Sequence, residues 1–432
     1  MLKLCQKIKQ ASFVFFILAL SFKLGIAEEQ QITLKMLSDQ PSLENYISYA
    51  VENNPGLKAQ YQSWQAEESK VSYVGGLPEP ELSYSYFIEN VETRVGPQEQ
   101  RFGIKQSFPW FGTLGAKKEI ARHNSEAVYQ KYQSFQQTLI YKIKIAYYNY
   151  YLLGRQLAIT KDNYQLLEFW ESIIRAKYKV ALTEHYDLIN AQIELGKLED
   201  QLLSLQYQTD PTIEVLRSLL NLPGDFELPL PESIELYENN LDADSVLTEV
   251  MASNPDLSAI SYLIEKNKSE ADLAGKSFWP NFTLGVDYIQ TGEAADPSMK
   301  DSGKDPWMVN VGIALPIWFG KNKAKRNEAR AQLMQTEYIH ENYKNELTSY
   351  ISQVLFEYHD ALRKIKLYRD GLIPKSEQSL NVTFKAYETG ETDFLNVLNT
   401  QKQMLDLQFK YDQAVATVAG KLAEIKMLTG TN

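Results

Sequence analysis

The stretch Phe108-Pro109-Trp110-Phe111-Gly112 returns, little changed, as Leu315-Pro316-Ile317-Trp318-Phe319-Gly320. In both places an alternating, strand-like run stops at a proline, aromatics and a glycine follow, and a long helix-like stretch begins. Proline has no N–H to give a sheet ladder, so it suits a strand end. Trp110, Phe111, Trp318 and Phe319 are aromatics of the kind that collect at a membrane–water boundary. A single junction would read as an ordinary strand-to-helix turn. Two at matching places predict membrane strands handing over to helices that stand in water.

The junctions belong to an internal repeat. Asn54-Pro55-Gly56-Leu57 returns 200 residues on as Asn254-Pro255-Asp256-Leu257, and Pro80 as Pro280. The Trp-Phe-Gly and Ala121-Arg122 matches stand at offset 208, and Tyr178, Asn190 and Gln192 match Tyr387, Asn399 and Gln401 at 209. So small a drift predicts a duplication, with repeats at 28–240 and 241–432.

Each half runs in one order. Helices are predicted at about 41–53 and 55–75, and again at 241–253 and 255–276, followed by β-hairpins at about 80–109 and 280–317. Leu82, Tyr84, Tyr86 and Ile88 alternate with Glu81, Ser83 and Ser85; Phe102, Ile104 and Phe108 alternate with Arg101, Gly103, Lys105 and Ser107. In the second half Phe282, Leu284, Val286 and Tyr288 oppose Asn281, Thr283, Gly285 and Asp287, and Trp307 to Leu315 continue the pattern. Such period-two runs have the length of tilted membrane strands. A soluble hairpin with one wet face shares the pattern.

The longest elements follow, at about 113–179 and 320–388, proline-free apart from Pro374. A helix of that length extends ~100 Å and needs a partner along it. The partner is predicted in the returning segments, where Leu188, Ala191, Leu195, Leu198, Leu202 and Leu205, and Val397, Thr400, Met404, Leu407, Tyr411, Ala414 and Val418, keep the 3,4 spacing of an antiparallel coiled-coil seam. The coiled-coil hairpins are thus expected at about 113–221 and 320–429. Tight tips at Val180-Ala181-Leu182-Thr183 and Thr389-Gly390-Glu391-Thr392 would join their arms.

The 432-residue chain opens with Lys3, Lys7 and Lys9, an apolar run Phe13–Leu20 and Gly25-Ile26-Ala27, the pattern of a cleaved secretory signal at 1–27. The only cysteine, Cys5, lies within it, so the mature chain is expected to hold no disulfide, thiolate metal site or lipid anchor. Losing the signal leaves 40 basic against 55 acidic side chains, a balance of −15. That argues against nucleic acid and suits the passage of cations. No later stretch has the ~20 apolar residues of a membrane helix, so any span must be a β-barrel. Four strands are too few to close one, and two chains would supply eight or three twelve.

The duplicated plan, the Pro-Trp-Phe-Gly junctions and the tip pattern Tyr387-x-x-Gly390-x-x-x-Phe394-Leu395-x-x-Leu398 resemble the TolC-like outer membrane efflux proteins (outer membrane factors) over nearly the whole mature chain. The resemblance implies a fold that is mainly α with membrane β. Duplicated antiparallel helical hairpins would join two β-hairpins, whose four strands per chain enter a twelve-strand barrel of a homotrimer. It implies the outer membrane of a Gram-negative-type cell, with helices in the periplasm, a periplasmic adaptor (membrane fusion protein) and an inner-membrane pump as partners, and no cofactor.

Family members often carry acids just past the tips, which places Asp187, with Asn190, Asp393, Asn396 and Asn399, as candidates for the closed end. Val180, Ala181, Leu182, Thr389, Gly390 and Glu391 are adaptor-contact candidates. His185, beside Glu184 and Asp187, is a weak metal candidate, and the tyrosines 129, 132, 147 and 150 read as packing surface. The resemblance implies a non-enzymatic exit duct for small molecules or metal cations, and no phosphate loop, Gly-x-Ser-x-Gly elbow or paired-His zinc motif competes with it. A type I exit duct for polypeptides is the alternative. A periplasmic adaptor would carry one hairpin rather than two, and a structural coiled coil leaves the strands unexplained.

Overall fold

The computed structural model describes residues 34, 35, 37–235, 241–296 and 298–431, so the predicted signal and Cys5 lie outside the described residues. The first half comprises α1 (Leu43–Asn53), α2 (Pro55–Tyr73), β1 (Glu81–Val91), β2 (Gln98–Phe108), α3 (Thr113–Lys179) and α4 (His185–Leu220). The second comprises α5 (Ala243–Ser253), α6 (Pro255–Lys276), β3 (Asn281–Thr291), β4 (Trp307–Ala314), α7 (Phe319–Leu367), α8 (Ile373–Thr389) and α9 (Phe394–Thr429). One compact unit draws on residues up to 59, 134–254 and from 347 onward; the other holds 60–133 and 255–346. Both units therefore take residues from both halves of the sequence.

The second unit contains an antiparallel sheet in the order β1-β2-β3-β4. Its registers align Leu82, Ile104, Val286 and Val309 in one row and Tyr84, Phe102, Tyr288 and Trp307 in the next, so the alternation places one apolar band on a single face. That band is open: Leu82, Ile88, Val309 and Val311 are all exposed, Ile88 to 92%. The opposite face is polar. Asp287, only 1% exposed, lies 2.5 Å from Arg101 and accepts a hydrogen bond from Asn310. Gly103 makes room for it, since a Cβ there would stand 2.2 Å from Asp287 Oδ1. The two hairpin loops are fastened to each other, with the Gly303 N–H donating to Val95 O (2.7 Å) and the Gly292 N–H to Pro97 O (2.8 Å). In the same unit Asn124 and Ser125 of α3 donate to Glu67 and Glu68 of α2, and Trp64 packs on Tyr129 at 5.1 Å.

In the first unit the Asn-Pro repeats explain themselves. The Leu57 N–H donates to Asn54 Oδ1 (3.0 Å), capping α2, while Asn54 Nδ2 donates to Leu219 O (2.9 Å) at the end of α4. Asn254 Nδ2 donates equivalently to Leu428 O (3.0 Å), near the end of α9. Each asparagine thus ties the start of a helix pair to the last turn of a long hairpin. The predicted seams are buried at Leu188, Ala191, Leu198, Val397, Ala414 and Val418. Trp170 of α3 stacks on Phe384 of α8 (5.1 Å) and meets Phe394 edge-on (6.3 Å). Tyr150 is buried with its hydroxyl donating to Leu228 O (2.9 Å), and Tyr147 packs on Tyr46 (6.1 Å), as expected of packing tyrosines.

The second long helix is not continuous, contrary to the uniform run expected over 320–388. A π-helical turn, Tyr368–Leu372, separates α7 from α8. Pro374 follows at once; lacking an N–H and crowding the carbonyl four residues back, it is accommodated by the wider turn. The Pro-free α3 runs 67 residues without interruption.

Two stability predictions follow from this unit. Asn254→Ala leaves the Leu428 carbonyl without its donor and should cost about 1–3 kcal/mol, seen as a lower thermal midpoint of the helical circular-dichroism signal. Asp412, nearly fully buried, bonds Arg155 (3.2 Å), yet burial holds its carboxyl above the ordinary range against that cation. The proton is then held more tightly in the folded chain than in the unfolded one. Its contribution to stability is present at acid pH and is lost as pH rises from the unfolded value, about 4, through the folded one. Asp412→Asn should therefore gain thermal midpoint relative to the wild type as pH is raised from 4.

Candidate functional site

Both helix tips use one backbone solution. At the first, the Ala181 N–H donates to Tyr178 O (3.0 Å) and the Leu182 N–H to Lys177 O (2.9 Å). At the second, the Gly390 N–H donates to Tyr387 O (3.2 Å) and the Glu391 N–H to Ala386 O (2.8 Å). These are paired Schellman turns, related residue for residue at offset 209. Gly390 takes the required left-handed conformation at φ 80°, and Ala181 takes it at φ 57°. Alanine there crowds its own Cβ. Val180 and Leu182 are exposed at the first tip, as are Thr389 and Glu391 at the second.

The side chains then diverge. Asp393 caps α9 by accepting from the Asn396 N–H (3.1 Å), while Glu184, its counterpart, makes no side-chain cap. Asp187 is only 4% exposed, and Thr183 Oγ1 donates to Asp187 Oδ2 (2.7 Å). The Tyr387 hydroxyl stands 3.3 Å from Thr183 Oγ1, so the acid, the threonine and the second tip form one chain of contacts. Burial, with Asp187 adding to it, raises the Tyr387 hydroxyl pKa although the Thr183 contact lowers it. Lys177 completes the link, donating to Glu388 O (3.1 Å) and lying 4.7 Å over the Tyr387 ring, where a cation suits the end of a helix.

The five polar candidates differ in exposure. Asp187 is inside, Asn190 is half-buried, and Asp393, Asn396 and Asn399 are exposed. Lys177 escaped the sequence reading, which placed Thr183 in the tip without a role of its own. Thr183 had a signal, since Thr392 repeats it at 209; Lys177 had none, since its counterpart is Ala386. His185 stacks on Tyr178 (4.9 Å), as Phe394 packs on Tyr387 (5.3 Å), so its ring occupies a packing position. Among the described residues no group of three or more His, Cys, Asp or Glu could hold a metal ion.

At the junctions, Phe111, Trp318 and Phe319 are strongly exposed, the first two to 78% and 71%. Trp110 instead stacks flat on Trp279 (4.7 Å, 10°) and lies 5.9 Å from Phe282. Trp279, in a Trp-Pro pair just before β3, was also missed; the pair itself was the available signal.

Replacing Ala181 by glycine should relieve the first tip by ~0.5–1 kcal/mol, the residue's greater unfolded freedom offsetting part of the gain. Slower amide hydrogen exchange at 180–183, with the second tip unchanged, would show it.

Comparison with known proteins agrees with this architecture. The "Outer membrane efflux protein" family matches at residues 46–222 and 246–431. "Toxin and drug export protein A" of Aggregatibacter actinomycetemcomitans is 22% identical over 317 residues, 70% of this chain and 67% of that protein. The outer-membrane channel OprN superposes with a TM-score of 0.78 at 16% identity, over 92% of both chains. The outer membrane protein VceC of Vibrio cholerae superposes with a TM-score of 0.75, also at 16% identity, over 90% of this chain and 96% of that one. With the tips, the four-strand sheet and the duplicated helical hairpins in place, the chain belongs to the outer membrane efflux protein family.

Proposed function

We propose that this chain is the outer membrane channel of a tripartite exporter, a passive exit duct with no bond-making chemistry of its own. One observation carries the reading. A single sheet has one face of exposed apolar side chains, one face of polar ones and unpaired outer edges on β1 and β4. Lipid accepts the first and water in a lumen accepts the second, while the edges require further strands. Three chains supply twelve strands and a lumen. The family and the export role in the relative's name support the same reading.

In this proposal Trp318 and Phe319 mark the bilayer boundary, and the helices stand in the periplasm. The exposed tip residues 180–182 and 389–391 meet a periplasmic adaptor, which couples the duct to an inner-membrane pump. Asp393, Asn396, Asn399 and Asn190 narrow the closed end. Asp187 braces it from within, through Thr183 and Tyr387. Small molecules or metal cations are the proposed cargo, the acidic balance of the mature chain suiting cations. The two structural repeats descend from one duplicated unit.

The chain should fractionate with the outer membrane as a trimer whose gel mobility changes on heating; a periplasmic monomer would remove the proposal. In planar bilayers Asp187→Ala should raise single-channel conductance, because Thr183 loses the acceptor that holds its hydroxyl beside Tyr387. Unchanged conductance would take Asp187 out of the closed end.

A further inference from the structure

In an acidic chain, the residues that follow the two aromatic junctions are basic. Positions 113–122 and 321–330 carry eight Lys or Arg and only two Glu. In the sheet-containing unit Arg326 and Arg330 line a cavity of about 550 Å³ together with Trp110, Trp279, Lys276 and the carboxylate of Asp272. A second cavity of about 550 Å³ shares Lys276 and Trp279 and is lined by Lys117, Lys321, Lys325 and Glu270. Lys276 is paired with Asp272, but Arg326, Arg330, Lys117, Lys321 and Lys325 make no ion pair among the described residues.

Arg326 is the informative group. Its guanidinium lies 5.4 Å over the Phe278 ring, and its Nε is buried without a hydrogen-bond acceptor. A buried, charged donor with no acceptor is costly, and native sites supply one. A guanidinium fork matches a phosphate geometrically, and a flat indole wall beside it is apolar. The order of residues says where such an acceptor would be found: exposed apolar Leu315 and Ile317, then exposed Trp318 and Phe319, then Lys321, Lys323, Lys325 and Arg326. That is the order of hydrocarbon, interface and headgroup charge.

We propose that this pocket binds the anionic phosphate headgroup of a membrane lipid at the sheet-to-helix boundary. Arg326 and Arg330 hold the phosphate, and the Trp110–Trp279 stack is the wall for the glycerol and first methylenes. The proposal rests on the membrane reading given above.

The test uses the full chain as a trimer in neutral detergent, with three probes followed by native mass spectrometry: dihexanoyl-phosphatidylglycerol, dihexanoyl-phosphatidylcholine and inorganic phosphate. Phosphatidylglycerol should bind saturably and the other two about tenfold more weakly. Arg326→Gln/Arg330→Gln should weaken phosphatidylglycerol about tenfold, and Lys58→Gln/Lys161→Gln, with the same charge change on other exposed sites, should not. Arg330→Gln alone, on an exposed side chain, should lose severalfold and keeps the test open if the double variant does not fold. Equal binding of the two lipids, equal binding by inorganic phosphate, or full binding by the Arg variants would each overturn the headgroup site. Fractionation of the wild type is measured separately: a chain that reaches the outer membrane yet binds no phosphatidylglycerol loses the pocket and keeps the channel.

Discussion

Backbone N–H and C=O groups on the outer sides of β1 and β4 set the terms for everything else. Among the described residues β1 pairs only with β2, and β4 only with β3. Each unpaired group in hydrocarbon costs several kcal/mol, while burying a whole Leu or Val side chain returns about 1.5–3. The exposed apolar face therefore cannot carry open edges into lipid by itself. The same face left in water would be a large aggregation-prone patch. Only pairing with further sheets satisfies both faces and both edges in a bilayer, so in the proposed channel the need for several chains comes from the backbone and not from any side-chain motif. The same accounting explains Gly103. A sheet face that buries Asp287 between Arg101 and Asn310 needs one strand position with no side chain opposite it.

Duplication lets one chain meet these terms economically in sequence. Asn54 and Asn254 fasten equivalent corners, and the two tips close by equivalent hydrogen bonds. What is repeated is backbone geometry, which tolerates few residues. What has diverged is side-chain chemistry, which the geometry leaves free. The π-helical turn before Pro374 is the exception, a backbone difference with a local cause and no counterpart in α3.

The fold was legible because its signals are local and periodic. Alternation fixed the sheet faces residue by residue, down to Asp287 on the polar side, and the 3,4 spacing fixed the seam at Leu188, Ala191 and Leu198. The site was less legible. Asp187 reads as a surface acid at the start of a helix, and only the approach of Thr183 and Tyr387, the latter 200 residues away in sequence, buries it. Lys177 reads as a solvated cation until the second tip supplies its carbonyl. Trp279 was missed, because its role depends on stacking against Trp110 from the other half. In each case the missing information was a partner distant in sequence, which no period can reveal.

The divergence of the tips has an energetic direction. The second has glycine in its left-handed position, an aspartate cap on α9 and Phe394 fully buried against Tyr387 and Trp170. The first has Ala181 in that position, no side-chain cap from Glu184 and an exposed His185 where the second has phenylalanine. Each difference weakens the first tip's own hold, by roughly 1 kcal/mol for the backbone and about as much for the cap. What it lacks locally it draws from its neighbour: Lys177 reaches the last turn of α8, and Thr183 meets the Tyr387 hydroxyl. The first tip is thus held largely by the second.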